Sequence, residues 1–189
     1  MPDQTLHISA PFDQAVTSSL RAGDRVRISG TLLAARDAAH KRLVEALDQG
    51  KPLPVDLKGQ VIYYVGPSPA KPGSVIGAAG PTTAGRMDAY TPRLLEEGIR
   101  GMIGKGYRSK EVVASMIQNK VPYLAAIGGA GALIARSIKS YTVLAWPELG
   151  PEALAAMTVE DFPAIVVIDC LGTNYYEIGQ APYRKLTLS

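Results

Sequence analysis

Cysteine is almost missing from this chain of 189 residues: Cys170 is the only one. A lone thiol excludes an internal disulfide framework and any all-cysteine metal cage built within the chain, and it fits a reducing compartment. Aromatic residues are few and mostly phenolic, with two Phe and one Trp against nine Tyr. No apolar stretch approaches the ~20 residues that a membrane span requires. The opening MPDQTLHISAPFDQ lacks the basic patch and apolar core of a secretory signal. A soluble, cytoplasmic protein is expected.

An excess of one charge is lacking too. Twenty basic and 17 acidic residues leave a formal charge of +3, and the basic residues are scattered, which is too weak a pattern for a nucleic-acid binder. A local cationic site would suit a small anion better. What is present is the composition of a folded domain: 47% hydrophobic and 20% charged argue against wholesale disorder. A chain of this length buries roughly 70% of its unfolded surface, so a core needs no staples.

Glycine and proline punctuate short elements. Apolar alternation through DRVRISGTLL predicts a half-buried strand, followed by a helix with Ala39, Leu43, Ala46 and Leu47 at helical spacing and ended by Gly50 and Pro52. VIYYVG and the glycine-thinned SVIGAAG read as strands. MDAYTPRLLEEG suggests a helix led by Asp88 and interrupted near Pro92, then IRGMIG a strand, and SKEVVASMIQNK a helix capped by Ser109 with Val112, Val113, Met116 and Ile117 as its apolar stripe. VPYLAAIGG, SYTVLAW and the doubly buried PAIVVIDC read as further strands, with a helix over GAGALIARSI. Strands and helices alternate from about residue 75, so the expected architecture is one α/β domain over 1–189 with a mixed sheet and packed helices.

Three strand-to-helix junctions carry the candidate chemistry. In GPTTAGR, residues 80–86, the hydroxyls of Thr82 and Thr83 can cap a helix or touch a ligand, and a helical turn would put Thr82 and Arg86 on one face. Backbone N–H groups plus a guanidinium suit a carboxylate or phosphate; a threonine cap followed by a surface arginine accounts for the same pattern. In ARDAAHKR, Arg36 falls at the mouth of the sheet with His40 one turn on. A half-buried helix residue is the simpler reading of His40, and Lys41 and Arg42 read as a solvated face. In IGKGYRS, Lys105 lies between glycines, but the glycine spacing of a Walker loop is missing. The glycines of Gly128–Gly131 also fail the dinucleotide fingerprint and read as close packing. Arg36, Arg86 and Lys105, if they converge, match a small dianion. No paired carboxylates and no Ser–His–Asp triad can be placed.

The order and spacing of GPTTAGRMDAYTPRLLEEG, MIGKGYRS, AAIGGAGALIARSIK, WPELG and VEDFPAIVVID, with SGTLLAARDAAHKRL before them, closely resemble the β subunit of iron–sulfur fumarases, akin to tartrate dehydratase β subunits. The likeness runs from roughly Gly30 to Asp169. It implies a swivelling β/β/α domain that docks on an α subunit in a heterotetramer, the partner holding a [4Fe–4S] cluster through three cysteines. It implies that Arg36 and Arg86 contact substrate carboxylates, that Lys105 is a further cationic contact, and that Thr82 is the proposed base in reversible hydration of fumarate to (S)-malate. An L-tartrate dehydratase β subunit and a non-catalytic dicarboxylate-binding module stay open as alternatives. The resemblance gives Cys170 no role as a ligand; a buried structural thiol is expected.

Overall fold

The period-two pattern of RVRISGTLLA becomes β2, Arg25–Ala34, in a computed structural model that describes residues 5–127 and 129–184. Before it come β1, Leu6–Ala10, and α1, Gln14–Ser19, whose first turn is closed by the Asp13 carboxylate accepting the Val16 N–H at 2.8 Å. After it come α2, Asp37–Asp48, and β3, Val61–Tyr63. A 3₁₀ turn over Ala84–Met87 then leads to α3, Thr91–Glu96, and β4, Gly101–Gly104. Next are α4, Lys110–Asn119, β5, Tyr123–Ala125, α5, Gly131–Ala135, and β6, Ile138–Ala145. The long β7, Leu154–Ile168, and the short α6, Tyr175–Ile178, end the series.

Strands β2, β3, β4 and β5 run parallel in sequence order, and β1 runs parallel to the first half of β2. Strand β7 is antiparallel to β2, β5 and β6. The pairings β2–β3–β4–β5–β7–β2 therefore return on themselves, and β2 and β7 serve both a parallel layer and an antiparallel one. Strand β2 makes this change of layer at Gly30, where the pairing with β7 shifts register. Gly30 has φ +114°, and a Cβ there would lie 2.1 Å from the Ala10 carbonyl oxygen. Only glycine fits such a backbone and such an approach.

Alternation along each strand divides the interior in two. Leu32, Val61, Tyr63, Ile103 and Leu124 face the antiparallel layer, where they meet Met157, Val159 and Phe162. Their neighbours Leu33, Ile62, Tyr64, Met102 and Tyr123 face the helices, meeting Leu43 of α2, Leu94 of α3 and Val112 and Met116 of α4. This is the expected α/β class with a mixed sheet and helices packed on it. Truncating one of these fully buried residues, such as Leu43→Ala, costs about 2–5 kcal/mol. Cys170 is buried with 5% exposure. Among the described residues, no helix is long and apolar enough to cross a membrane.

Several local expectations need correction. SVIGAAG forms no strand. It belongs to a loop clasped by Ser68, whose N–H donates to the Ala78 carbonyl at 3.0 Å and whose Oγ accepts the Ala78 N–H at 2.8 Å. Asp88 leads no helix; α3 starts at Thr91 with Pro92 in its first turn, where a missing N–H costs nothing. In the α4 stripe, Val112 and Met116 are buried but Ile117 is 45% exposed. The strand seen in PAIVVIDC starts nine residues earlier, and β1 was not anticipated at all. Gly128, the first residue of the glycine-rich turn, lies outside the described residues.

Candidate functional site

Because β2, β3 and β4 are parallel, whatever follows each of them emerges at the same edge of the sheet. That carboxyl-terminal edge is where parallel α/β sheets, open or closed, present ligand sites. Arg36 follows β2 by two residues, Lys105 follows β4 by one, and Thr82 and Arg86 lie in the crossover that leaves β3. The crossover is laid against the strand ends by backbone bonds. The Thr82 N–H donates to the Tyr64 carbonyl at 2.7 Å, the Lys105 N–H to the Thr82 carbonyl at 3.2 Å, and the Ala84 N–H to the Lys105 carbonyl at 2.8 Å. Thr83 and Lys105 form a parallel bridge. Residues far apart in sequence thus become neighbours on one rim.

The two arginines meet at one carboxylate. Arg86 Nη2 donates to Asp37 Oδ2 at 2.7 Å, while Arg36 Nε lies 3.9 Å from Asp37 Oδ1 and Arg36 Nη2 lies 3.2 Å from Glu152 Oε1. Arg36 Nε and Asp37 Oδ1 are buried atoms without hydrogen-bond partners. Glycine at position 66 makes room for this: a Cβ there would fall 2.5 Å from Arg36 Nη1. The backbone carbonyl of Arg36 is held in turn by His40, whose Nδ1 lies 2.8 Å from it. A carbonyl only accepts, so Nδ1 carries the proton and Nε2 is bare. His40 is 1% exposed, and burial lowers its pKa from 6.5 to about 4, which leaves it neutral near pH 7.

Thr82 is half-buried and lies outside any helix, so the expected helical face shared with Arg86 does not exist. The N-cap of the 3₁₀ turn is Thr83, and its side chain makes no capping bond. No described residue hydrogen-bonds the Thr82 hydroxyl, and Lys105 is exposed with no ion pair among the described residues. Arg42, expected on a solvated face, instead pairs with Glu148 and lies over the Trp146 ring, 5.7 Å from its centroid. Lys41 does face solvent, at 63% side-chain exposure.

Sequence reasoning missed Arg108. Its side chain has 0% exposure, donates from Nη2 to Thr91 Oγ1 at 2.6 Å and from Nη1 to the Tyr64 hydroxyl at 3.1 Å, and has Nε 2.9 Å from Asp88 Oδ1. The last contact is an ion pair whose angle falls short of a hydrogen bond. A basic residue between a tyrosine and a serine cap carries no local mark of burial; only its pairing across the fold reveals it.

Over residues 3–179 the sequence matches the family described as fumarase C-terminus. The chain belongs to that family. Fumarate hydratase 2 of Leishmania major is 45% identical over 161 residues, which are 84% of this chain and 28% of that protein. The aerobic class I fumarate hydratase of Escherichia coli K12 is 40% identical over 165 residues, 86% of this chain and 30% of the relative. A putative L(+)-tartrate dehydratase subunit beta of Methanocaldococcus jannaschii is 37% identical over 174 residues, 88% of this chain and 89% of the relative. The chain thus spans under a third of these fumarate hydratases and nearly all of the tartrate dehydratase subunit. In this member of the fumarase C-terminus family, a family of hydro-lyases, the rim described above brings Arg36 and Arg86 to one carboxylate and the Lys105 backbone beside Thr82 and Thr83.

Proposed function

We propose that this chain is the β subunit of a two-subunit iron–sulfur fumarate hydratase and that its rim holds the two carboxylates of fumarate and (S)-malate. The observation that carries the reading is the meeting of Arg36 and Arg86 at one carboxylate, Asp37, with Lys105 and Thr82 stitched to the same edge. Arg36 Nε, buried without an acceptor, would gain one from a bound carboxylate. The likeness to a relative named as a β subunit supports docking on an α subunit; the heterotetramer is the arrangement the family resemblance implies.

The class implies a [4Fe–4S] cluster, and the residues present do not fit one. Cys170 is the single cysteine, and among the described residues no three His, Cys, Asp or Glu side chains gather to hold a metal ion. Cluster ligands are therefore assigned to the α subunit, and the chemistry derived for this chain is that of its own groups. Arg36, Arg86 and Lys105 bind and orient the dicarboxylate and stabilise the negative charge that builds on one carboxylate as a proton leaves the adjacent carbon. Thr82, as its alkoxide, takes up that proton and becomes the neutral hydroxyl, while hydroxide leaves the neighbouring carbon toward the partner subunit. Lys105, whose backbone N–H is bonded to the Thr82 carbonyl, is the cation set beside Thr82 to favour the alkoxide.

The test is Thr82→Ala in the complex assembled with its cluster-bearing partner and checked for cluster content. Loss of ~10²- to 10⁴-fold in kcat with inhibitor affinity retained is expected of a general acid–base group. Retained turnover with a lowered melting temperature would make Thr82 structural. Because the M. jannaschii relative is named for tartrate, the same assembly measured on malate and L-tartrate separates the two substrates. Turnover of neither would leave a dicarboxylate-binding module.

A further inference from the structure

We infer that Arg108 is a positioning residue for the dicarboxylate rim, a buried strut that sets the spacing between the Thr82–Arg86 segment and Lys105; this rests on the reading of the rim as the substrate site. Arg108 lies three residues after Lys105, and Asp88 lies two after Arg86. Their ion pair at 2.9 Å therefore joins the stems of the two segments that carry the candidate groups. The other Asp88 oxygen accepts the Ser109 N–H at 2.7 Å, which fastens the same joint to the start of α4.

The remaining contacts of Arg108 lead back to the rim. Its Nη1 holds the hydroxyl of Tyr64, whose carbonyl accepts the Thr82 N–H. The guanidinium also lies over the rings of Tyr64 and Tyr123, 5.4 and 5.2 Å from their centroids, and the Tyr123 hydroxyl donates to the carbonyl of Gly106 beside Lys105 at 3.1 Å. Burying a guanidinium carries a large desolvation cost, and an apolar side chain of similar volume often serves stability as well. What an apolar side chain lacks is a rigid planar fork that fixes several partners at once. The selective reason for a charge at 0% exposure is then the geometry it imposes on Thr82, Arg86 and Lys105.

The test is a kinetic cycle on the assembled complex with fumarate as probe and cluster content matched. Arg108→Lys should lower kcat/KM roughly tenfold or more when Lys105 is present and by a clearly smaller factor in the Lys105→Ala background, because the spacing to Lys105 that the strut sets no longer matters there. An equal factor in both backgrounds, or an unchanged kcat/KM, would overturn the inference. If Arg108→Lys does not fold, Asp88→Asn, which keeps an acceptor for Ser109, takes its place with the same expected pattern and the same overturning result. Amide hydrogen exchange supplies an arm that needs no turnover. The variant should speed exchange at residues 82–88 and 104–107 together; unchanged exchange at 82–86 would overturn the strut. A wild-type complex without hydratase activity would defeat the functional reading, while the exchange arm still decides the role of Arg108.

Discussion

Two arginine–aspartate pairs sit on adjoining segments of this molecule and meet opposite surroundings. Arg86 and Asp37 are 48% and 29% exposed at the side chain, and among the described residues Arg36 is the other cation against their carboxylate. Arg108 and Asp88 are 0% and 17% exposed, and hydroxyls, ring faces and a helix cap occupy the space around them. On the proposed reading the first pair would exchange its carboxylate for that of a ligand, since a partly exposed ion pair is weak. The second cannot, because either partner alone would be left charged in a low-dielectric interior. On the proposed reading the same chemistry serves recognition at the rim and geometry beneath it. His40 lies between the two, with Nδ1 on the Arg36 carbonyl and its ring edge against Tyr64, 5.3 Å between centroids.

The contrast can be broken or sharpened by mutation. The largest effect is expected at the open pair. Arg86→Ala or Arg36→Ala in the assembled complex should lower kcat/KM by ~10²- to 10³-fold, about 3–4 kcal/mol of transition-state stabilisation, while Lys41→Ala on the solvated face changes it less than about threefold. Steady-state kinetics on fumarate measure this, and equal losses at Arg86 and Lys41 would erase the distinction between rim and surface.

A smaller effect is expected of His40. Its folded-state pKa is depressed to about 4 against 6.5, so the unfolded chain takes up a proton that the folded chain refuses as pH falls below 6.5. Its contribution to stability is therefore intact above that pH and is lost progressively down to about 4. Between pH 7 and pH 5 the loss is about 2 kcal/mol, readable as the difference in denaturant unfolding between the wild-type chain and His40→Gln. Identical pH profiles would mean that the imidazole is not held buried and neutral.

The smallest effect tests how tightly the open pair is shaped. Gly66→Ala places a methyl 2.5 Å from Arg36 Nη1 and 2.8 Å from its Cδ, so the flexible guanidinium must move aside. We expect kcat/KM to fall about tenfold, near 1.4 kcal/mol, with a smaller effect on melting temperature, since the closest contacts are with the flexible Arg36 side chain and the backbone carbonyl of Pro151 lies farther off, at 3.3 Å. A large melting shift with normal kinetics would assign Gly66 to the fold alone.

Much of this was legible beforehand because its causes are local. The alternation in RVRISGTLLA, the Ser109 cap and the placement of cations at strand-to-helix junctions all follow from neighbours within a few residues. Arg36, Arg86 and Lys105 could be chosen on that ground. What misled was extending local rules past their reach. Thr82 and Arg86 were given a helical face, but backbone bonds to Tyr64 and Lys105 hold Thr82 extended. Arg42 was given to solvent, yet a loop 106 residues away supplies Glu148. SVIGAAG has the residues of a weak strand, but its backbone groups are taken by Ser68 and Gly131.

By itself the sequence determined the α/β class, the three cationic junctions and the impossibility of a cysteine-held cluster within these 189 residues, since each depends on residue type and short-range spacing. Only the tertiary structure decided that Arg36 and Arg86 share Asp37, that Lys105 is laid beside Thr82, and that Arg108 is buried beneath them. Those facts depend on parallel strands delivering distant segments to one edge. No pattern within a single segment encodes which neighbour it will meet there.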